Sequence, residues 1–347
     1  MTNKYASELK ATAKSLMAES KGILAMDESN GTCNKRFEKL GISTTEENRR
    51  AYRELILTAS GLSNYISGAI LYDETIRQST TEGKSFVKVM QDAGMIPGIK
   101  VDTGAKDLAF CDNEKVTEGL DGLRDRIAEY YQMGARFAKW RAVITIGNNI
   151  PSDGCIEANA HALARYAALC QEGGLVPIVE PEVLINGDHT IERCYEVTEK
   201  TLHEVFRQLY VQGVALDQMI LKPSMIISGD SCSTQASVED VATETIRCLL
   251  NTVPASVPGI AFLSGGQSKE RSSAHLNYMN ANLRSQLPWR VTFSYARAIQ
   301  QPALDHWSGK SENLAEAQKI LVQRAKLNSA ASEGKYSKEM EKQPALV

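Results

Sequence analysis

Lys222 has the most evident chemical potential in the sequence, because it stands inside a short apolar run, MILKPSM (219–225). Apolar surroundings disfavour the ammonium form of a lysine, and nearby cations disfavour it further. We expect Lys139 and Lys100, which stand in two other apolar runs, to supply such cations. Both effects lower the pKa of an amine and free it to attack a carbonyl carbon. The alternative is an inward lysine that only pairs with Glu180; we favour the nucleophile.

Carboxylates in neighbouring runs supply the acid and base that such lysine chemistry requires. Glu180 and Glu182 stand two residues apart in VPIVEPE, so they point the same way in a regular strand, unless Pro181 between them breaks it. Two carboxylates in one pocket push their pKa values apart, which lets one of them hold a proton near neutral pH. Asp27, at the end of GILAMD, is a further base or orienting group. An iminium on the lysine withdraws electrons from the adjacent carbon, so this set can break or form a carbon–carbon bond.

Two groups of polar residues are suited to bind phosphate. In the first, two glycines precede a predicted helix whose backbone N–H groups and dipole attract anions, and an arginine adds a bidentate contact. The residues of this group are Ser264, Gly265, Gly266 and Arg297. The second group combines cations with a polar turn, and its residues are Lys100, Arg141 and the turn from Ser29 to Thr32.

The histidine and cysteine patterns argue against a metal site or a disulfide framework. None of the five histidines has His-x-x-x-His or Glu-x-x-His spacing, so we expect a mechanism without a metal or another cofactor. The seven cysteines are scattered and form no Cys-x-x-Cys pair, which indicates reduced thiols. Ser264 has no adjacent histidine base, so lysine remains the favoured nucleophile.

Composition excludes several classes of partner. The 347 residues carry a net charge of −3, with 43% hydrophobic and 23% charged residues, as is typical of a globular protein. A nearly neutral chain lacks the excess positive charge that binding to nucleic acid or an anionic membrane requires. No apolar run approaches the roughly 18 residues of a membrane span, and the N-terminus lacks the apolar segment of a signal peptide. We therefore expect a soluble cytoplasmic protein, or a plastid protein that has already been processed.

Eight short apolar runs alternate with segments of helical period, which predicts an α/β fold. The predicted strands are 22–27, 66–72, 96–102, 137–144, 175–182, 219–225, 259–266 and 290–297. The predicted helices are 45–60, 83–93, 119–133, 157–172, 190–212, 238–251, 268–282 and 311–330, with a leading helix at about 5–20. Most runs lack strict alternation, as expected of parallel strands buried on both faces.

Alternation of this length favours a closed (β/α)8 TIM barrel, in which the carboxyl ends of all strands meet at one mouth. Charged residues stand at or near those ends in almost every run, so they are expected to share one polar site. The alternative is a doubly wound open sheet, which favours a Gly-x-Gly-x-x-Gly turn after its first strand, where this sequence has GILAMDESNG. We expect one domain over 1–347, composed of an N-terminal helix (1–21), the barrel (22–309), a C-terminal helix (310–330) and a mobile tail (331–347).

With these residues in view, the sequence resembles class I fructose-bisphosphate aldolase, the Schiff-base type, from about residue 5 to Tyr336. The motifs that carry the resemblance occur in the family's order and spacing. They are GILAMDES, TEENRR, GIKVDTG, EGLDGL, FAKWR, VPIVEPE, LKPSM, FLSGGQS and FSYAR.

The resemblance implies a role for each matching residue. Lys222 forms the Schiff base, Glu180 is the principal general acid and base, and Glu182 supports Glu180 through the charge network. Asp27 handles the proton of the C4 hydroxyl, and Lys139 holds the charge of the intermediate. The residues implied for the 1-phosphate are Ser264, Gly265, Gly266 and Arg297, and Ser294 and Ala296 are further substrate-binding residues. Those implied for the 6-phosphate are Ser29, Thr32, Arg36, Lys100 and Arg141.

The implied reaction is the reversible, metal-free cleavage of fructose 1,6-bisphosphate into dihydroxyacetone phosphate and glyceraldehyde 3-phosphate, in glycolysis, gluconeogenesis or carbon fixation. The implied assembly is a homotetramer. The alternatives are the same chemistry on another ketose phosphate, such as sedoheptulose 1,7-bisphosphate or a transaldolase-like donor, and a non-catalytic scaffold that keeps the barrel.

Two positions depart from the family pattern. Ala296 replaces a common glycine before Arg297; its N–H remains, so we expect phosphate binding to persist if the backbone dihedral suits alanine. Family members also carry a longer tail that ends in tyrosine, whereas this sequence runs from GKYS to Val347. Because Tyr336 stands where that tail begins, we do not expect it to replace the terminal tyrosine. Bisphosphate preference and turnover therefore follow least directly from the resemblance.

Overall fold

A computed structural model describes residues 3–342 of the chain. Its main sheet contains eight parallel strands in the order β1-β2-β3-β6-β7-β8-β9-β10. The sheet closes on itself, since the Ala25 N–H donates to the Tyr295 carbonyl at 3.1 Å. The barrel strands are β1 (Gly22–Ala25), β2 (Ile66–Leu71), β3 (Ile96–Lys100), β6 (Phe137–Ile144), β7 (Val176–Val183), β8 (Ile220–Leu221), β9 (Gly259–Phe262) and β10 (Arg290–Phe293). The predicted TIM barrel is confirmed, and the open sheet is wrong.

Helices surround this barrel. They are α1 (Ala6–Leu16), α2 (Asn30–Glu38), α3 (Glu46–Leu57), α4 (Asp73–Ile76), α5 (Phe86–Asp92), α6 (Leu123–Met133), α7 (Asp153–Glu172), α8 (Ile191–Val211), α9 (Val238–Thr252), α10 (Lys269–Asn282), α11 (Arg297–Trp307) and α12 (Leu314–Ser332). Many begin after a serine or threonine whose side chain accepts a backbone N–H of the first turn. Such caps fix where each helix starts relative to the preceding strand. Among residues 3–342, none of the helices combines the length and apolar character that crossing a membrane requires.

Two apolar cores hold the barrel. The larger core lies between the sheet and the surrounding helices. The smaller core lies inside the barrel, where α1 covers the amino-terminal end and buries Leu9, Leu16 and Met17 against inward side chains such as Phe137. Gly98 makes room for that ring, because a Cβ at this position would lie 2.2 Å from Phe137 Cζ. The interior is therefore packed at the bottom and open only at the carboxyl ends of the strands.

Several elements differ from the sequence prediction. Helices α2, α4 and α11 and a hairpin of strands β4 (Gly104–Asp107) and β5 (Lys115–Glu118) were not expected. The hairpin strands GAKD and KVTE are mostly polar, so they form no apolar run. Several strands end before the predicted bounds, because regular pairing stops near the polar residues of the mouth. These strands are β1, β3, β8, β9 and β10, which end at Ala25, Lys100, Leu221, Phe262 and Phe293.

The segment that follows α12 contains a short 3-10 helix, Lys338–Lys342. The tail predicted for 331–347 therefore begins within α12, and its last residues, 343–347, lie outside the described residues.

Candidate active site

Side chains alternate along each barrel strand, and the inward-facing ones change from apolar residues at the bottom of the barrel to charged residues at its mouth. On β7, Val176 and Ile178 belong to the inner core, and Glu180 and Glu182 follow on the same face. On β6, Phe137 precedes Lys139 and Arg141 in the same way, and on β8 Ile220 precedes Lys222. The period of two thus places these charges above the packed floor, at the mouth of the barrel.

Four buried ionisable side chains form a continuous chain of contacts at this mouth. The Nζ of Lys222 lies 3.1 Å from Glu180 Oε1, and the Nζ of Lys139 lies 3.3 Å from Glu180 Oε2. Lys139 also contacts Asp27 Oδ2 at 2.6 Å. These four residues are at most 8% exposed. Glu180 therefore bridges the two lysines, and Lys139 bridges the two carboxylates.

Strand register explains why Lys222 and Glu180 meet. Strands β7 and β8 pair at Ile178 with Ile220 and at Val179 with Leu221. The Lys222 N–H then donates to the Val179 carbonyl at 2.8 Å, which sets Lys222 beside the next residue of β7, Glu180.

Pro181 does not interrupt β7, because it pairs with Ala142 within an unbroken register between β6 and β7. The backbone N–H groups of Val176 and Leu184 donate to carbonyls on the β6 side. The backbone N–H and C=O groups of the odd-numbered residues of β7 therefore point toward β8. Since β8 pairs only at Ile178 and Val179, no ladder donor is needed at Pro181. Glu180 and Glu182 therefore point to the same side.

The electrostatic environment fixes the charge of two groups. Burial raises the pKa of Asp27, but the fields of Lys139, Lys222 and Lys100 outweigh burial and lower that pKa to about 2. For Lys139, burial favours the neutral amine, whereas the carboxylates of Asp27 and Glu180 favour the ammonium and raise its pKa overall. At neutral pH the site therefore holds an ionised Asp27 beside a protonated Lys139.

Glu182 does not join the central chain. Its carboxylate accepts a hydrogen bond from the side-chain Nε of Arg141. The backbone N–H of Arg141 donates to Asp102 Oδ2 at 3.2 Å. Asp102 also accepts a hydrogen bond from the Lys100 ammonium and is itself buried. Asp102 was not among the predicted site residues, although the motif GIKVD places it directly after a strand end. Lys100 and Arg141 are therefore paired cations at one side of the mouth.

The loops after β9 and β10 face each other across the mouth. The first loop turns through Gly265 (φ +53°) and Gly266 (φ +90°), where the left-handed backbone favours glycine, and the Gln267 N–H closes the turn on the Ser264 carbonyl at 2.9 Å. Among the described residues, the buried Ser294 hydroxyl finds no hydrogen-bond partner.

Helix α11 starts directly after β10, with Ala296 as its N-cap and the exposed Arg297 as its first residue. The N-terminus of an unpredicted helix therefore points at the predicted phosphate site. Ala296 has φ −102° and ψ −89°, so it does not adopt the left-handed conformation that favours glycine. Helix α10 starts at Lys269, after the two glycines, with Ser268 as its cap.

The opposite wall is formed by the first turn of α2. Ser29 caps this helix by accepting the Thr32 N–H at 3.4 Å. Arg36 lies 2.5 Å from Glu28 Oε1, and the other oxygen of Glu28 binds Arg53 at 2.9 Å. Glu28 and Arg53 were not predicted, because only the fold brings α3 next to the end of β1.

All the predicted site residues line one cavity of about 580 Å³. Lys35, Lys39, Tyr72 and Thr103 also line it and were not predicted. Among residues 3–342, no group of three or more His, Cys, Asp or Glu side chains is arranged to hold a metal ion.

The barrel and its buried charges define an enzyme of the TIM-barrel class with a lysine–carboxylate centre at the carboxyl ends of the strands. Residues 8–346 match a family model described as "Glycolytic: Fructose-bisphosphate aldolase class-I". The chain belongs to the class I fructose-bisphosphate aldolase family.

The names of similar proteins support membership of this aldolase family. A protein of Xanthomonas campestris named "Probable fructose-bisphosphate aldolase class 1" is 62% identical over 330 residues, which cover 95% of this chain and 98% of that protein. Two Arabidopsis thaliana aldolases, one named cytosolic and one chloroplastic, are each 51% identical, over 95% and 98% of this chain and 84% and 86% of their own lengths. The structure of fructose-bisphosphate aldolase from Plasmodium falciparum, solved with TRAP and a small-molecule inhibitor, has a TM-score of 0.95 and 47% identity, with 97% of each chain covered.

Proposed function

We propose that the chain catalyses the reversible cleavage of D-fructose 1,6-bisphosphate into dihydroxyacetone phosphate and D-glyceraldehyde 3-phosphate. The observation that carries the proposal is the buried chain from Lys222 through Glu180 and Lys139 to Asp27. A scaffold has no need for two buried lysines that share a carboxylate. The names of the relatives support fructose bisphosphate over another ketose phosphate as the substrate.

Lys222 is the proposed nucleophile. Lys222 first gives a proton of its amine to Glu180. The neutral Nζ then forms a bond to the C2 carbonyl carbon of the substrate while the C2–O double bond opens, and a proton moves from the nitrogen to that oxygen to give a carbinolamine. Glu180, 3.1 Å from this amine, then donates a proton to the C2 hydroxyl, which leaves as water and gives an iminium. Glu182, held by Arg141, adds negative charge to the same side and supports the role of Glu180.

Asp27 is the proposed base for carbon–carbon cleavage. It removes the proton of the C4 hydroxyl, so that a C4 carbonyl forms, the C3–C4 bond breaks and its electron pair moves into the iminium to give an enamine. Its low pKa keeps it ionised for this step. The Lys139 ammonium stabilises the charges that develop around it. The proton that Asp27 has taken passes through the Lys139 ammonium, which contacts both carboxylates, to Glu180. Glu180 then protonates C3 and restores the iminium, and addition of water to C2 breaks the C2–Nζ bond, which releases dihydroxyacetone phosphate and returns the lysine amine.

Two clusters are proposed to hold the phosphates at the ends of the open-chain sugar. Backbone N–H groups, hydroxyls and one guanidinium surround the 1-phosphate, from Ser264, Gly265, Gly266, Ser294, Ala296 and Arg297. Cations and the capped turn of α2 surround the 6-phosphate, from Ser29, Thr32, Arg36, Lys100 and Arg141. The unpartnered Ser294 hydroxyl and the N-terminus of α11 support the first cluster.

Borohydride trapping tests the proposal. Incubation with dihydroxyacetone phosphate and then borohydride should reduce an iminium and attach the ligand to Lys222, detectable by peptide mass spectrometry. Turnover of the bisphosphate should persist in EDTA, because the two lysines supply the positive charge. Labelling at another lysine, or no labelling together with no cleavage of any ketose phosphate, would contradict the aldolase assignment.

We further propose a cytoplasmic homotetramer that acts on sugar phosphates and not on nucleic acid or membranes. Family membership supports the tetramer. The cytosolic relative supports the compartment, with a processed plastid protein as the alternative. Light scattering with size-exclusion chromatography tests the assembly, and cell fractionation tests the compartment.

A further inference from the structure

Arg324 is a buried cation on α12 that has both a charge partner and several acceptors. Its side chain is 5% exposed, and its Nη1 lies 2.7 Å from each carboxylate oxygen of Glu341. Its Nε donates to the Ala298 carbonyl at 3.2 Å, and its Nη2 donates to the Lys269 carbonyl at 3.1 Å. A guanidinium tolerates burial when its charge and its N–H groups are matched in this way.

The two carbonyls belong to the first turns of neighbouring helices. Lys269 opens α10, which follows the Ser264–Gly266 loop, and Ala298 is the second residue of α11, which follows Ser294. Arg324 therefore ties together the helices behind the two halves of the proposed 1-phosphate site. The buried Tyr295 hydroxyl adds a second tie, since it donates to the Ser272 carbonyl of α10 at 2.9 Å.

Glu341 reaches this network from the segment that follows α12. The Tyr336 hydroxyl donates to Glu341 Oε1 at 2.9 Å, and the Tyr336 N–H donates to Asn277 Oδ1 at 2.8 Å. Glu341 is therefore fixed both by Arg324 and by a tyrosine anchored on α10. Without this carboxylate Arg324 is left as a buried charge, and solvation of its guanidinium requires it to pull away from the two carbonyls.

We propose that Glu341 is a positioning residue for phosphate binding, which acts through Arg324 on the spacing between the loops after β9 and β10. The inference rests on the proposed assignment of those loops to the 1-phosphate of the substrate. A phosphate held between two loops is sensitive to their separation, because its hydrogen bonds require donors within about 2.7–3.2 Å. The C-terminal segment thus contributes to affinity without touching the substrate.

Three variants test this role. Glu341→Ala removes the carboxylate, Tyr336→Phe removes only one of its hydrogen bonds, and Glu339→Ala is the matched control, because Glu339 is an exposed residue of the same 3-10 helix. The Kd of inorganic phosphate is measured by calorimetry, and kcat and KM are measured with fructose 1-phosphate. We expect Glu341→Ala to raise both Kd and KM about tenfold, equivalent to about 1.4 kcal/mol. We expect a smaller rise for Tyr336→Phe and none for Glu339→Ala.

Separate values of KM and kcat distinguish a positioning role from general damage to the protein. A positioning role should change kcat less than about twofold, whereas misfolding would lower the apparent kcat because fewer molecules are active. Equal phosphate affinity in Glu341→Ala and Glu339→Ala overturns the inference. A rise in Kd for all three variants, or a change in kcat alone, also overturns it. Calorimetry needs no turnover, so a wild-type protein that binds phosphate but cleaves no sugar refutes the proposed function and leaves the positioning role standing.

Discussion

The ammonium of Lys139 lies 2.6 Å from the carboxylate of Asp27, although β6 and β1 are separated by two other strands of the barrel. The contact crosses the interior, so it depends on the curvature that closes the sheet into a barrel. Because both side chains are buried, the attraction is weakly screened by solvent. The pair therefore links the closure of the barrel to the ionisation of a proposed catalytic base.

This link predicts a specific pH dependence of stability. The pKa of Asp27 falls from 3.8 to about 2 on folding, so its stabilisation is present above pH 3.8 and is lost as the pH falls toward 2. The shift corresponds to about 2 kcal/mol. In Asp27→Asn, the unfolding free energy measured in urea should therefore fall less steeply from pH 5 to pH 2.5 than in the wild type. The exposed Asp112→Asn is the control, and an unchanged slope in Asp27→Asn contradicts the prediction.

Lys222→Met should remove turnover while leaving the fold intact. Glu180 keeps Lys139 as a partner at 3.3 Å, and methionine fills a similar volume, so we expect the melting temperature to change by a few degrees at most. Loss of a nucleophile should lower kcat by about 10³-fold or more. The exposed Lys88→Met serves as the control for the loss of one lysine charge. Residual turnover near that of the wild type would assign the chemistry to another residue.

The charged centre could be predicted from the sequence because it follows the alternation of strands. Lys139, Glu180 and Lys222 each lie two residues beyond an inward apolar residue, and that spacing is visible without a structure. Pro181 obscured the pattern, since its effect depends on how far the neighbouring strand β8 extends. The length of a partner strand is a tertiary property that the local sequence does not encode.

The surroundings of the centre were harder to predict for the same kind of reason. Only residues 294–296 separate β10 from α11, and they carry no glycine or proline that would signal a turn. Pro302 within α11 also argues against a helix. The pairing of Glu28 with Arg53 depends on how α3 packs, 25 residues along the chain. Residues that hold the binding groups in place were therefore missed more often than the binding groups themselves.

Ala296→Gly should have little effect on phosphate binding. The negative φ of −102° does not require glycine at this position, and the N–H of the N-cap stays in place in either residue. We expect the Kd of inorganic phosphate to change less than about twofold and the unfolding free energy to fall by at most about 1 kcal/mol, through the greater freedom of glycine in the unfolded chain. A large gain in phosphate affinity would mean that the alanine distorts the site.

Gly266→Ala should weaken phosphate binding and destabilise the protein. The backbone at Gly266 has φ +90°, which side chains rarely adopt, and a Cβ there would lie 3.1 Å from Ile185 Cγ2. Strain of this kind costs about 1–3 kcal/mol, and its relief requires a change in the backbone of the loop that carries the proposed phosphate-binding N–H groups. Gly154→Ala in α7 is the matched control, because its nearest neighbour is 4.0 Å away and alanine favours a helix. Urea unfolding and phosphate calorimetry should therefore show losses for Gly266→Ala and a small gain in stability for Gly154→Ala, whereas equal behaviour of the two variants would show that the loop conformation is not what binds the anion.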